Sequence, residues 1–156
     1  MDTVLSILRF LRIASVATLA GLLIPSCGGG GGGSSEDEAA VKQTVEGFMH
    51  AVASGDGVTA CALATPEGQA KLLQAVGQSG ADCVQAAGIV SAGFSPATRD
   101  GLATATVTKV GFDGDTATVE DKDVTSTAGD LSTFLDPNSP PIVLTKQPDG
   151  TWRISG

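Results

Sequence analysis

Six consecutive glycines, Gly28 to Gly33, constrain the fold of this 156-residue chain more than any other feature. Glycine loses more conformational freedom on folding than other residues, so a glycine run opposes both helix and strand. Followed by serines and acidic residues, the run is typical of a flexible tether with a root-mean-square reach of roughly 20 Å. It follows no predicted strand and lacks the Lys-Ser/Thr ending of a phosphate-binding loop. We therefore assign residues 27–38 to a tether and residues 39–156 to one domain.

The segment before the glycines has the pattern of an export signal. Arg9 and Arg12 precede an uncharged, mostly apolar stretch from Ile13 to Pro25. A cationic region, a short apolar region and a small residue before the cleavage point form the secretory signal pattern. As a helix, the uncharged stretch would be about 20 Å long, whereas a bilayer core requires ~30 Å, so a transmembrane helix is the weaker alternative. We predict that residues 1–26 are a cleaved signal peptide.

The sequence Ile24-Pro25-Ser26-Cys27 resembles the lipobox of bacterial lipoproteins. The resemblance implies that Cys27 carries a diacylglycerol and becomes the new N-terminus, and two acyl chains are what stable anchoring requires. The alternative is an ordinary secreted protein in which Cys27 is a plain thiol. A lipid anchor predicts an extracytoplasmic protein of the cell envelope, held on the outer face of the cell membrane.

The overall charge bears on the partners of the domain. The chain has a formal net charge of −8 at pH 7. Such a surface repels nucleic acid and anionic headgroups, so we expect no nucleic-acid partner. The lipid on Cys27, rather than the domain surface, would hold the protein to the membrane.

The two remaining cysteines, Cys61 and Cys83, make an even pair. Disulfides form and persist in oxidising, extracytoplasmic compartments, so we predict a Cys61–Cys83 disulfide. The alternative is two buried free thiols. Two cysteines and the single histidine, His50, cannot fill a tetrahedral zinc site with the usual paired spacing. We expect no metal and no cofactor.

Hydrophobic periodicity and capping residues predict helices in the first half of the domain. Apolar residues recur at three- and four-residue intervals between Ala39 and Ser54, which indicates an amphipathic helix. Ser35, Glu36 or Asp37 is the expected cap at its start. The elements expected next are a helical turn carrying Cys61, a helix opened by Thr65-Pro66, a short helix from Asp82 through Val90, and a loop from Ser91 to Gly101.

The second half is rich in Thr and Val and predicts antiparallel strands. Two hairpins are expected, one from Thr104–Phe112 and Thr116–Val124 and the other from Ile142–Gln147 and Thr151–Ser155. Leu131–Leu135 is a further candidate strand. Helices followed by antiparallel strands indicate an α+β fold, with the N-terminal helices packed on one side of a curved sheet.

Three motifs carry a resemblance to a known superfamily: Phe48-Met-His-Ala-Val-Ala-Ser-Gly-Asp56, Ala60-Cys-Ala-Leu63 and Asp149-Gly-Thr-Trp-Arg153. Together with the element order, they resemble the nuclear-transport-factor-2-like cone fold, and more narrowly small actinobacterial lipoproteins of that superfamily, over residues 38–156. The resemblance implies a concave pocket between sheet and helices, and homodimers formed through the sheet. None of the motifs is a catalytic signature, and one scaffold hosts many activities.

Asp121, Asp123 and Trp152 are the candidate pocket residues. Unbroken strand alternation would point both carboxylates toward the concave face, where desolvation raises a carboxylate pKa and suits it to act as a general base. The alternative is a solvated charge run. His50 lies opposite the apolar stripe of its helix, which leaves no Ser-His-Asp triad.

We therefore expect a non-enzymatic binding domain for a small apolar ligand or a partner protein. The alternatives are an enzyme that uses Asp121 or Asp123, and a structural dimerisation module of the cell envelope.

Overall fold

The computed structural model describes residues 33–77, 82–132, 134–135 and 140–156. The predicted signal peptide and Cys27 lie outside the described residues. So do the predicted helix breaker at Gln78–Gly80 and most of the proline-rich connection before β5, the strand that begins at Ile142.

Five helices occupy the first part of the described domain, and all five begin with a side-chain cap. Ser34, Asp56, Thr65, Asp82 and Ser95 each accept a hydrogen bond from the backbone N–H three residues further on. Such caps satisfy an N–H group that the helix itself leaves unpaired. The helices are α1 (Ser35–Ser54), α2 (Gly57–Ala62), α3 (Pro66–Ala75), α4 (Cys83–Gly93) and α5 (Pro96–Ala103).

Helix α1 begins four residues earlier than the periodicity predicts. Ser34, rather than any of the three expected residues, is the cap, and it forms a reciprocal capping box with Asp37. Residues 35–38, which were assigned to the tether, are the first turn of the helix. Their acidic side chains face the positive end of the helix dipole, which stabilises this turn. The predicted end of the helix is confirmed, because Gly55 adopts the left-handed conformation there.

The loop predicted from Ser91 to Gly101 is wrong. Helix α4 continues to Gly93, and α5 starts at Pro96. The start of α5 has the same signature as the start of α3, a hydroxyl cap followed by proline at the first helical position. Helix α5 buries Thr98 and Leu102 and packs against α1.

The strands form two antiparallel sheets, so the α+β class is confirmed but a single continuous sheet is not observed. A four-stranded sheet has the order β2-β3-β5-β6, and a two-stranded sheet pairs β1 with β4. The strands are β1 (Ala105–Val107), β2 (Gly111–Asp113), β3 (Thr116–Val119), β4 (Val124–Ser126), β5 (Ile142–Lys146) and β6 (Trp152–Ile154). The second predicted hairpin is confirmed as β5–β6. Leu131–Leu135 is not a strand, since the amides of Phe134 and Leu135 both donate to the Leu131 carbonyl in a turn.

The first predicted hairpin is only partly correct, because both of its strands break in the middle. Pairing across the turn at Gly114 extends only through β2 and β3. Beyond it, Asp121–Asp123 form a short 3-10 helix. The Glu46 carboxylate on α1 accepts a hydrogen bond of 2.9 Å from the Val107 amide of β1. The Glu46 side chain thus pairs with a backbone N–H that a neighbouring strand would pair with in a longer sheet.

The core lies between α1 and the inner face of the four-stranded sheet. Residues of α1 such as Val41, Val45 and Met49 pack in one cluster with Leu144, Trp152 and other inward residues of the strands. A second, smaller cluster joins α1, α2 and α4 through Ala51, Val52, Ala60 and Ala87.

The predicted Cys61–Cys83 disulfide is confirmed. It joins α2 to the first residue of α4, with the two Cα atoms 6.0 Å apart. Because α2 and α4 both pack on the C-terminal half of α1, the disulfide closes the helical end of the domain.

Candidate functional site

Asp121 and Asp123 do not occupy the strand positions predicted for them. Both lie on the 3-10 helix between β3 and β4, so the alternation that would have pointed them to the concave face is interrupted. Both are half-buried, and the Asp123 carbonyl accepts bonds from the amide and the hydroxyl of Thr108. The structure therefore separates these carboxylates from the groove that Trp152 lines.

That groove, of about 620 Å³, runs between α1 and the edge of the sheet formed by β6. Its volume lies in the range of small-molecule sites, roughly 300–1,000 Å³. Trp152, which was predicted as a pocket residue together with Asp121 and Asp123, is among the residues that line it. Three parts of the chain supply the lining: Ala40, Gln43, Thr44 and Gly47 of α1; Ala62 and Leu63 at the end of α2; and residues 150–153 of the β5–β6 hairpin.

The residue sizes along α1 explain why a groove opens here. Ala40 and Gly47 present little or no side chain on the helix face that meets β6. Between them, the Thr44 hydroxyl shares its proton between the Ala40 carbonyl of its own helix, at 2.9 Å, and the Trp152 carbonyl of β6, at 3.2 Å. The helix is thus fixed close to β6, while small residues on either side leave space.

Most of the residues that line the groove are uncharged. Arg153 is the one ionic side chain among the described residues that border the groove, and no carboxylate borders it. Among the described residues that border the groove there is no pair of an acid and a base, and no nucleophile held by a base.

A second constellation ties the start of α1 to the sheet, and we call it the Asp37 cluster: Ser34, Asp37, Lys146 and Trp152. Asp37 Oδ1 accepts hydrogen bonds from Lys146 Nζ at 2.7 Å and from the Trp152 indole N–H at 2.9 Å. Its Oδ2 accepts from the Ser34 hydroxyl at 2.9 Å. The carboxylate thus both caps α1 and fixes it to β5 and β6.

Phe112 extends this cluster toward the glycine run. Its ring meets the Trp152 ring edge-on, with centroids 5.7 Å apart. The backbone of Gly33 lies against the same phenyl ring, where a Cβ would come within 2.7 Å of ring atoms. The last glycine of the run is therefore a packing residue rather than part of a free tether.

Sequence reasoning missed the role of Asp37, although one signal for it is present. Ser34 and Asp37 have the spacing of a capping box, which indicates a helix start. Nothing in the local pattern connects Asp37 to Lys146 or Trp152, which follow it by more than a hundred residues.

The Asp37 cluster predicts a specific acid sensitivity. The hydrogen bond from Lys146, followed by those from Trp152 and Ser34, holds the pKa of Asp37 far below its ordinary value of 3.8. A lowered folded-state pKa adds stability above the unfolded-state pKa, and that stability is lost as the pH falls further. We expect Asp37→Asn to be less stable than the native chain at neutral pH, and the difference to shrink below about pH 4.

Urea unfolding followed from pH 7 to pH 2 measures this difference. Asp100→Asn, which changes an exposed carboxylate on α5, is the matched control, and it should track the native chain at every pH. An Asp37→Asn difference that stays constant below pH 4 would contradict the assignment.

Other kinds of site find no support in the described residues. His50 is exposed on α1, as its helical position predicts. No group of three or more His, Cys, Asp or Glu side chains among the described residues is arranged to hold a metal. Within the same ranges, no helix has the length and apolar character to cross a membrane. Comparisons with protein-family models, curated proteins and solved structures found no match.

Proposed function

We propose that this chain is a lipid-anchored extracytoplasmic binding protein that holds a small apolar ligand in the groove between α1 and β6. The observation that carries the binding role is the groove itself, whose lining is uncharged except for Arg153. The anchor is a diacylglycerol on Cys27, which places the domain on the outer face of the cell membrane.

Two features support the location. The first is the signal-like segment that ends in the lipobox-like sequence before Cys27. The second is the Cys61–Cys83 disulfide, since such bonds persist in oxidising compartments. Because Gly33 packs on Phe112 and Ser34 caps α1, only residues 28–32 separate Cys27 from the packed domain. The anchor would therefore keep the start of α1 close to the bilayer.

The fold proposed for this domain is the nuclear-transport-factor-2-like cone. Support comes from the way α1 lies against the inner face of a four-stranded antiparallel sheet, with Trp152 and Ile154 turned toward the helix. The β1–β4 pair is separate from this sheet, so a cone in this domain would be built from two sheets rather than one.

The groove favours an apolar ligand because such a ligand would cover aliphatic surface that the protein leaves exposed. Its aliphatic lining, including Ala40, Ala62 and Leu63, is only partly covered by protein. Burial of such surface contributes about 25 cal/mol per Å². A short acyl or alkyl chain that lies along the groove would bury this surface, and the gain in free energy would require no rearrangement of charged groups.

The anchor is tested by intact mass spectrometry of the chain purified from its native membrane. We expect the mass of a chain that begins at Cys27 and carries a diacylglycerol. Cys61 and Cys83 should be alkylated only after reduction. An unlipidated mass would overturn the proposed anchor but would leave the proposed binding role of the groove unaffected.

The binding role is tested with Trp152, which is the sole tryptophan of the chain and lines the groove. The full lipid-anchored chain, in phosphatidylcholine liposomes without other protein, is titrated with bromooctanol. Bromine quenches tryptophan fluorescence at short range, so we expect saturable quenching.

Ala62→Phe should fill the groove and weaken the quenching at least tenfold. Ala92→Phe adds the same ring at an exposed position on α4, away from the groove, and should leave the quenching unchanged. Quenching that is linear in ligand, or equal in the two variants, would mean that the alcohol acts from the bilayer and would overturn the binding role.

A further inference from the structure

We infer that the ligand of the groove is a single-chain amphiphile with an anionic headgroup, and that Arg153 binds this headgroup. The inference rests on the proposed function, because it names the class of ligand for the same groove.

Arg153 is an unusual charge in its setting. The chain has 17 acidic and 9 basic residues, yet among the described residues that border the groove the one ionic residue, Arg153, is a cation. The ion pairs among the described residues are Lys42–Glu38 and Lys146–Asp37, and neither involves Arg153. Its guanidinium is thus available to an external anion.

Asp149 is the nearest competitor for Arg153. Hydrogen bonds from the Thr151 hydroxyl and amide lower the pKa of Asp149 first, and the charge of Arg153 adds to the effect. The Asp149 Oδ1 atom is engaged by these two Thr151 donors, at 2.6 and 2.9 Å. The Asp149 carboxylate therefore has its hydrogen-bond donors within the turn. Arg153 lies near enough to lower its pKa but does not form an ion pair with it.

The backbone of β6 adds a donor to the same groove. The backbones of Val143 and Gln147 pair with residues 155–156 and 151, which flank β6 on either side. Lys146 lies between these positions, and its N–H donates instead to the Asp115 carbonyl, on the β3 side of β5. Opposite Lys146, Trp152 therefore directs its N–H and its carbonyl away from β5, toward α1. The Thr44 hydroxyl contacts this carbonyl, and the Trp152 N–H is left as a backbone donor in the lining of the groove.

A guanidinium and neutral N–H donors together match an acceptor-rich anion. Arginine forms planar, bidentate hydrogen bonds with carboxylates and phosphates, and charge-assisted bonds of this kind are about twice as strong as neutral ones. The aliphatic part of the lining would contact the chain of the same ligand. A cationic headgroup would instead be repelled by Arg153.

The test compares four headgroups on one chain length: bromooctanoate, bromooctyl phosphate, bromooctanol and bromooctylamine. The full chain is anchored in phosphatidylcholine liposomes, and the quenching of Trp152 is titrated. We expect the two anions to bind about tenfold more tightly than the alcohol, equivalent to ~1.4 kcal/mol, and the amine to bind least. Preference for the carboxylate would indicate a fatty acid, and preference for the phosphate would indicate a phosphorylated lipid.

Arg153→Gln should bring the anions to parity with the alcohol, while Arg153→Lys should retain part of the preference. Lys109→Gln removes one positive charge from an exposed loop outside the groove and is the matched control, expected to bind as the native chain does. Equal binding of anions and alcohol by the native chain would overturn the headgroup inference and leave the binding role intact. Absence of saturable quenching by all four probes would overturn both.

Discussion

Replacement of both Cys61 and Cys83 by alanine should lower the free energy of unfolding by about 3 kcal/mol. The disulfide links residues 22 positions apart, and its loss enlarges the conformational freedom of the unfolded chain. It also releases α4 from α2 at the helical end of the domain, where the smaller core cluster offers little apolar surface. A loss of this size is a large fraction of the stability of a small domain.

Urea unfolding, with the midpoint and slope fitted separately, measures the disulfide contribution. The native chain under reducing conditions provides the control for side-chain packing, because it retains both sulfur atoms. It should unfold close to the double variant. If the reduced and oxidised native chains unfold at the same midpoint, the disulfide does not stabilise this domain.

Trp152→Ala should cost about 4 kcal/mol, the usual loss for a buried tryptophan. The side chain is 3 % exposed and contacts the core cluster, the Phe112 ring and the Asp37 carboxylate. Its removal leaves a cavity between α1 and β6.

Trp152→Phe separates the two contributions of this residue. Phenylalanine keeps much of the buried ring but cannot donate to Asp37, so we expect a clearly smaller loss of stability than with alanine. Because both variants lack the tryptophan signal, circular dichroism during urea unfolding is the appropriate readout. A loss for Trp152→Phe as large as for Trp152→Ala would show that the hydrogen bond, rather than the ring volume, carries the effect.

The helical half of the domain was largely predictable because its signals are local. Thr65 and Asp82 lie next to the N–H groups that they cap, and Gly55 ends α1 through its own backbone conformation. Helix α5, which was predicted as a loop, carries the same local signal in Ser95-Pro96 that Thr65-Pro66 gives at the start of α3. The second hairpin was also predictable, because turn residues and alternation agree there.

The sequence by itself determined where α3 and α4 start and where α1 ends, that the second half forms antiparallel strands, and that two cysteines were available to pair. Its periodicities describe interactions between residues only a few positions apart. The tertiary structure alone decided that Glu46 and the 3-10 helix at Asp121–Asp123 interrupt the first hairpin. It also decided that Asp37 joins α1 to Trp152. These contacts depend on how distant elements pack, since each satisfies a polar group that only the assembled domain brings within hydrogen-bonding distance.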